Sequence, residues 1–456
     1  MKAVFAPGER LARLLYASLW VVATPLIVGY LLWRSRRQPA YRHGWVQRFL
    51  GHYGTRPTSP CIWIHAVSVG ETRAAAPLIA ALQERHPAWP ILVTHMTPTG
   101  RETAVSLFGD RVLHAYLAYD YPFAVAAFFR HWRPRIGIVM ETEIWPNLMV
   151  AAARAGTPMV LANARLSPKS LVAARRWTAL MRPAARRFER ILAQADADAK
   201  RFAILLESEH LAPEDSSIAT IGNVKFDIEP PAAMRALGAR FREGFGSPAC
   251  VFLCASTREG EEEGLFDAWR RRLDSNERGE LPLLVVVPRH PQRFDEVVAL
   301  ARTRGLTVQR RSDDLPLHPD TQVWIGDSMG ELWAYYLASD LAFVGGSILP
   351  LGGQNLIEAA AAGCPILIGR HTFNFSVASD EAVRVGAAAR VDDFDALVAS
   401  AVALAADPPK RKRMADAGLR FAAAHRGATA RTLQIVEEML RVQGVAGADF
   451  KALKSV

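Results

Sequence analysis

Two successive α/β domains, each built on a parallel sheet, are the fold class this sequence predicts, and three observations predict it. The chain has 456 residues, more than one ordinary hydrophobic core fills, so two domains and some extras are expected. Beyond residue 60, short apolar runs alternate with longer helical patterns such as RAAAPLIAALQERH. The runs are continuously apolar rather than alternating, which marks parallel strands covered on both faces.

Taken in order, the first element differs from the rest. Leu14–Trp33 carries no charged residue. A helix of about 20 apolar residues is long enough to cross the hydrocarbon core of a bilayer. It ends in Trp33-Arg34 rather than in a small-residue cleavage site, unlike a signal peptide. Arg34, Arg36, Arg37, Arg42 and Arg48 follow it, against Lys2, Arg10 and Arg13 before it. The positive-inside rule then puts the bulk of the protein in the cytoplasm. The segment shows no polar face, which favours a single-pass anchor (residues 1–44) over a helix lying on the membrane.

In the first half, CIWIHAVSV, WPILVTHM, RIGIVME, PMVLANA and RILAQ read as buried strands. The second half repeats the style with CVFLCAS, LPLLVVVP, LTVQ, QVWIG, LAFVGG and CPILIG. The stretch from about Phe226 to Pro248, with its Pro-Pro and Gly punctuation, reads as the linker. Domains are therefore expected at 45–228 and 229–456, the second including the C-terminal helices. Open parallel sheets bind ligands at the carboxyl ends of their strands, so a cleft between the two domains is the expected site.

A net charge of +10 calls for an anionic partner, and basic residues are spread along the chain. No nucleic-acid-binding signature is present, so a membrane surface or an acidic substrate is favoured over nucleic acid. The four cysteines, Cys61, Cys250, Cys254 and Cys364, make no zinc pattern and read as reduced thiols, three of them in strands or at their edges. Asp196-Ala197-Asp198 has no supporting ligand and reads as helix N-terminal acids, so no metal is expected. The basic stretch 173–190, AARRWTALMRPAARRFER, fits either an anionic bilayer or a solvated helix packed on its domain.

Three segments carry chemistry. In His65-Ala66-Val67-Ser68-Val69-Gly70-Glu71, a strand ends at a turn and a helix starts near Glu71. The helix N–H groups there favour an ionised carboxylate, as a general base requires, although a helix N-terminal acid that only complements the dipole has the same pattern. In Met140-Glu141-Thr142-Glu143-Ile144-Trp145-Pro146-Asn147, two acids follow an apolar strand, suited to binding an acceptor or to capping the next helix. In Gly345-Gly346-Ser347 and Gly352-Gly353-Gln354-Asn355, glycine pairs lead into a helix carrying Glu358. That arrangement suggests close backbone approach to a phosphate, with Glu358 accepting from sugar hydroxyls. Its spacing fits neither a dinucleotide fingerprint nor a P-loop.

These segments, with THMTPTG, LANARLS, GNVKFD, PRH, GDSMGEL and GRHTFNF in the same order, resemble the Kdo transferases of lipopolysaccharide biosynthesis. Kdo is an acidic eight-carbon sugar. The resemblance implies the GT-B architecture and inverting, metal-independent transfer from CMP-Kdo to a phosphorylated lipid A precursor at the inner membrane. No cofactor is implied. It makes Glu71 the base and adds Glu143 and Lys225 as functional positions. Arg289, His290, Gly330, Glu331, Gly345, Gly346, Ser347, Asn355 and Glu358 would hold the donor. Ser68, Gly70, Thr97, Thr99, Gly100 and Arg101 would meet the acceptor. The alternatives are a GT-B transferase using a UDP-sugar and a nucleotide-sugar binding protein without turnover.

Overall fold

The computed structural model of the protein describes residues 7–207, 217–227, 229–246, 250–275 and 281–452. The chain divides into two compact units, Met1–Asp227 with Arg426–Val456, and Ile228–His425. Each holds one seven-stranded sheet, and every strand pairing is parallel.

The first unit contains β1 (Ile62–His65), β2 (Ile91–His95), β3 (Leu113–Tyr116), β4 (Ile136–Met140), β5 (Met159–Ala164), β6 (Arg190–Ala193) and β7 (Ile218–Thr220). Their order is β3-β2-β1-β4-β5-β6-β7, so the direction of winding reverses between β1 and β4. All residues of β1, β2, β4 and β5 are buried, as continuous apolar runs require. The sequence reading missed β3 and β7. Both are sheet edges, short and incompletely buried, where the apolar signal fades.

The second unit contains β8 (Val251–Thr257), β9 (Leu283–Pro288), β10 (Val308–Arg310), β11 (Val323–Ile325), β12 (Leu341–Val344), β13 (Ile366–Ile368) and β14 (Ala388–Arg390). The order is β10-β11-β9-β8-β12-β13-β14, with the reversal between β8 and β12. The edge strand β14 was the one missed here, for the same reason.

Two domain expectations need correction. Residues 232–244 are a helix rather than a linker. A side chain at Gly238 would meet Leu337 and the Ala334 carbonyl at about 3 Å, so glycine lets this helix press against helix Leu332–Ala338. Phe241 then stacks on Tyr335 and meets Trp324 edge-on. The linker reading also covered residues 228, 247 and 248, which lie outside the described residues.

The final helix, Ala428–Ala452, belongs to the first unit and not the second. The Asp227 carboxylate accepts from the Gly427 and Thr429 N–H groups at its start. Arg431 donates to the Ile221 carbonyl, and Arg85 pairs with Glu437 at 3.0 Å. Leu433, Val436 and Leu440 complete the core beneath Leu78, Ile79 and Leu82.

The N-terminal helix, Pro7–Ser35, is long and apolar enough to cross a membrane. Unlike a free anchor, it lies against the first unit along one face. Trp20 packs among Tyr119, Tyr121 and Trp145 with ring centroids 5.5–6.0 Å apart. The basic stretch 173–190 forms parts of two helices, Pro168–Arg176 and Thr178–Ala185, and the chain beyond them. Its arginines turn inward: Arg182 and Arg186 donate to the Leu205 and Leu206 carbonyls, and Arg187 pairs with Glu9. That favours the packed-helix reading for those three residues. Arg175, Arg176 and Trp177 remain exposed.

Candidate active site

Both units place their chemistry-bearing segments at the carboxyl ends of the strands where winding reverses, the crevice in which open α/β sheets hold ligands. In the first unit, β1 leads to Glu71 and β4 leads to Glu141. In the second, β8 leads to Glu261 and β12 leads to Gly345-Gly346-Ser347.

Ser68 caps helix Val69–Arg85, accepting from the Glu71 N–H. Glu71 folds back so that Oε2 accepts from the Val67 N–H at 2.8 Å and Oε1 from the Ser68 hydroxyl at 2.9 Å. This reciprocal cap fixes the carboxylate at the strand end. The sequence reading expected an ionised carboxylate, and burial changes that. Loss of water pushes Glu71 up to about 7; the Val67 N–H opposes the shift, and the nearby Glu141 and Glu143 carboxylates add to it. Desolvation outweighs the helix terminus here, leaving a carboxyl poised near neutrality.

The chain reaches Glu141 in the left-handed region, with φ of 60°, a conformation that costs a non-glycine residue about 1–3 kcal/mol. The kink directs its carboxylate to Lys225 Nζ, 2.9 Å away. Lys225 is placed by a side-chain net. Asn163 Oδ1 accepts from Val224 N–H and Asn223 Oδ1 from Lys225 N–H, while Gln194 links Asn223 to the Asn163 carbonyl. Glu143, preferred in the sequence reading, accepts instead from Trp145 Nε1 at 2.5 Å, and burial raises its carboxyl. The partner of Lys225 is thus Glu141. Nothing in the sequence separated the two acids, because only the backbone kink after β4 does so.

The expected acceptor residues converge on this edge. Thr97 caps helix Pro98–Phe108 and donates to the Val67 carbonyl at 2.9 Å, tying it to the Ser68 turn. A side chain at Gly100 would lie 2.9 Å from Thr97 Oγ1 and 3.0 Å from that carbonyl, so glycine is required there. Gly70 and Thr99 are exposed. Arg101 reaches over the Tyr116 ring, 5.6 Å from its centroid.

The glycine-rich segment of the second unit is held by internal hydrogen bonds. Gly346 and Ser347 N–H groups donate to Glu261, at 2.6 and 3.2 Å, and Arg258 N–H does so at 3.1 Å. A buried carboxylate thus organises the first glycine pair, upstream of the helix start where the sequence reading placed a phosphate. Ser347 is fully buried; its hydroxyl donates to Val344 and accepts from Gly369 N–H. Gly345 abuts Ser256 and Thr257, where any side chain would clash. These three residues shape the loop. Helix Ile357–Ala361 is one short turn, and Asn355 Oδ1 already accepts from the Ile357 N–H while its amide approaches Glu358 at 3.4 Å. Glu331 is held by Ser328 and Arg311, beside the exposed Gly330.

A cationic cluster lies at the ends of β8 and β9. Partial burial lowers the His290 imidazole, and Arg258, Arg289 and Arg293 add to the shift. Arg289 and His290 are exposed. Arg293 is committed to the buried Glu262, at 2.9 Å. Among the described residues, no group of three or more His, Cys, Asp or Glu side chains is arranged to hold a metal ion.

Comparison with known proteins gives these units a family. The family model described as 3-deoxy-D-manno-octulosonic-acid transferase (kdotransferase) matches residues 43–228. The 3-deoxy-D-manno-octulosonic acid transferase of Bordetella pertussis is 40% identical over 426 residues, covering 91% of this chain and 96% of that protein. The chain belongs to the Kdo transferase family. The Haemophilus influenzae member is 36% identical, over 94% of this chain and 99% of its own. The C-terminal CMP-Kdo binding domain of WaaA from Acinetobacter baumannii is 32% identical over 42% of this chain and 98% of its own, with a TM-score of 0.39. A UDP-N-acetylglucosamine 2-epimerase structure covers 85% of this chain and 97% of its own at 17% identity and a TM-score of 0.54, a likeness of fold. The fold is GT-B, and the protein is a glycosyltransferase that transfers Kdo in lipopolysaccharide biosynthesis.

Proposed function

We propose that Glu71 is the base that activates the acceptor hydroxyl, and that the reaction takes Kdo from CMP-Kdo to a phosphorylated lipid A precursor at the cytoplasmic face of the inner membrane. The observation that carries this reading is the position of Glu71: half-buried at the reversal point of the first sheet, held by two donors and raised to about 7. The acceptor oxygen attacks the anomeric carbon of Kdo as the bond from that carbon to the CMP phosphate oxygen breaks. Its proton passes to Glu71, and CMP leaves with the bonding electrons. One displacement inverts the anomeric centre.

Lys225, paired with Glu141, supplies a fixed cation near the base and limits the repulsion among the three acids. Arg289 and His290, exposed within the cationic cluster, suit the phosphate and the Kdo carboxylate of the donor. The exposed N-terminal helix and the net charge of +10 suit an enzyme working on a phosphorylated lipid at an anionic membrane.

The test is CMP release from CMP-Kdo with a tetra-acylated lipid A precursor, for wild type, Glu71→Gln and Glu71→Ala. Removing a general base lowers turnover by about 10²–10⁴-fold. Retained binding of CMP-Kdo with lost turnover is the expected result. Undiminished turnover in Glu71→Gln would refute the assignment of the base.

A further inference from the structure

Helix Pro7–Ser35 sorts its side chains in an unusual way for a membrane anchor. Glu9, Arg13, Trp20, Thr24, Leu31 and Ser35 recur at helical spacing and form one stripe along the whole element. The stripe faces protein. Glu9 pairs with Arg187 at 2.6 Å, Arg13 donates to Asn147, Thr24 bonds the Tyr121 hydroxyl at 2.6 Å, and Ser35 accepts from Arg42 at 3.2 Å. These four polar side chains therefore point inward. The outward face is apolar: Leu15, Leu19, Val22, Leu26 and Trp33 are all more than half exposed, Leu26 by 78%.

The docked contacts run from one end of the helix to the other. At about 1.5 Å per residue, its 29 residues extend ~43 Å along the flank of the first unit. A helix standing across the bilayer would carry the flank beside Trp20 and Thr24, with Tyr119, Tyr121 and Trp145, into hydrocarbon and drag Arg187 and Asn147 to the far interface, where moving polar protein is costly. A helix lying in the interface submerges only its outward face, by about 5–10 Å. The surroundings fit that depth. Arg13, Arg130 and Arg154 line a groove beside the helix, and Arg34 and Arg37 lie over the Tyr41 and Trp33 rings at its end. A leucine row flanked by arginines and interfacial aromatics complements anionic lipid headgroups above an acyl layer.

We propose that this helix does not span the membrane but lies in its plane, docked on the first unit, with its leucine face embedded in one leaflet of an anionic bilayer. The inference rests on the membrane location proposed above and replaces the single-pass arrangement expected from the sequence. It makes the acceptor-handling unit and the membrane surface one rigid piece, since Trp20 packs on Trp145, two residues from Glu143.

The full-length enzyme can be tested with single cysteines at Gly8 and Arg36, because the four native cysteines are buried. An impermeant maleimide should label both Gly8→Cys and Arg36→Cys in inverted membrane vesicles and neither in intact spheroplasts. Labelling of the two ends from opposite sides would overturn the in-plane arrangement while leaving membrane attachment intact. A fluorophore on Leu15→Cys, Leu19→Cys or Leu26→Cys should be quenched to a similar extent by one shallow brominated phosphatidylglycerol. Strong quenching of only the central position, by deeply brominated chains, would also overturn it. Recovery of the wild type in the soluble fraction, or shielding of Leu19→Cys by a second copy without lipid, would overturn both this inference and the membrane reading.

Discussion

The two units answer the same topological problem in opposite ways. At the reversal point of the first sheet, half-buried acids crowd together, so desolvation raises Glu71 to about 7 with Glu141 and Glu143 adding to the shift, while Lys225 pairs with Glu141. At the equivalent point of the second sheet, one buried acid, Glu261, accepts from Arg258, Gly346 and Ser347 N–H groups and sets the loop. Its carboxyl is also raised by burial, but Glu261 is closed off at 1% exposure whereas Glu71 is only half-buried. A carboxylate at a strand end is therefore reactive or architectural according to whether an incoming group can reach it. Sequence shows the acid without showing its partners.

The largest expected effect comes from breaking the first arrangement. Glu71→Gln should lose about 10²–10⁴-fold in turnover without destabilising the protein at pH 8, because an amide keeps an acceptor and burial disfavours the charge it replaces. Thermal unfolding beside the activity assay checks both halves. The complementary break, Glu261→Ala, should act on stability first. Stripping the acceptor from buried N–H groups costs about 2–5 kcal/mol, read as a lower denaturant midpoint of the second unit, with donor affinity falling alongside. Full donor affinity with an unchanged midpoint would place Glu261 outside the loop's support.

Smaller effects sharpen the comparison through pH. The folded Glu71 carboxyl at about 7 lies above its ordinary value of 4.5, so its deprotonated, active form appears as pH rises through about 7. By the same sign, its contribution to stability is full below about 4.5 and is lost as pH climbs through about 7. The acid limb of kcat/KM should therefore lie near 7 rather than near 4.5. Lys225→Met leaves Glu141 uncompensated and should move that limb upward. Glu143→Gln keeps an acceptor for Trp145 Nε1 but removes one of the charges that raise Glu71. It should move the limb downward by a fraction of a unit, the smallest change of the set. A limb that shifts the same way in both variants would contradict the electrostatic coupling drawn here.

Much of the architecture was legible in the residues. Continuous runs such as Leu283–Pro288 can be satisfied only between covered layers, so the central strands follow from composition alone. Three of the four edge strands, β14 among them, could not be read, since half their surroundings is solvent. The Ser68–Glu71 turn was also legible, because a cap uses residues close in the chain.

Distance in sequence is what hid the remainder. The sequence by itself determined two parallel α/β units, an apolar N-terminal helix, and which strand ends carry acids and glycines. Tertiary structure alone decided that Glu71 is desolvated to near neutrality, that Glu141 and not Glu143 meets Lys225, and that Glu261 fills the glycine loop. It likewise returned helix Ala428–Ala452 to the first unit and laid the N-terminal helix along that unit's flank. Local patterning sets what each segment can bury, whereas proton affinity and pairing depend on neighbours that only folding brings within a few ångströms.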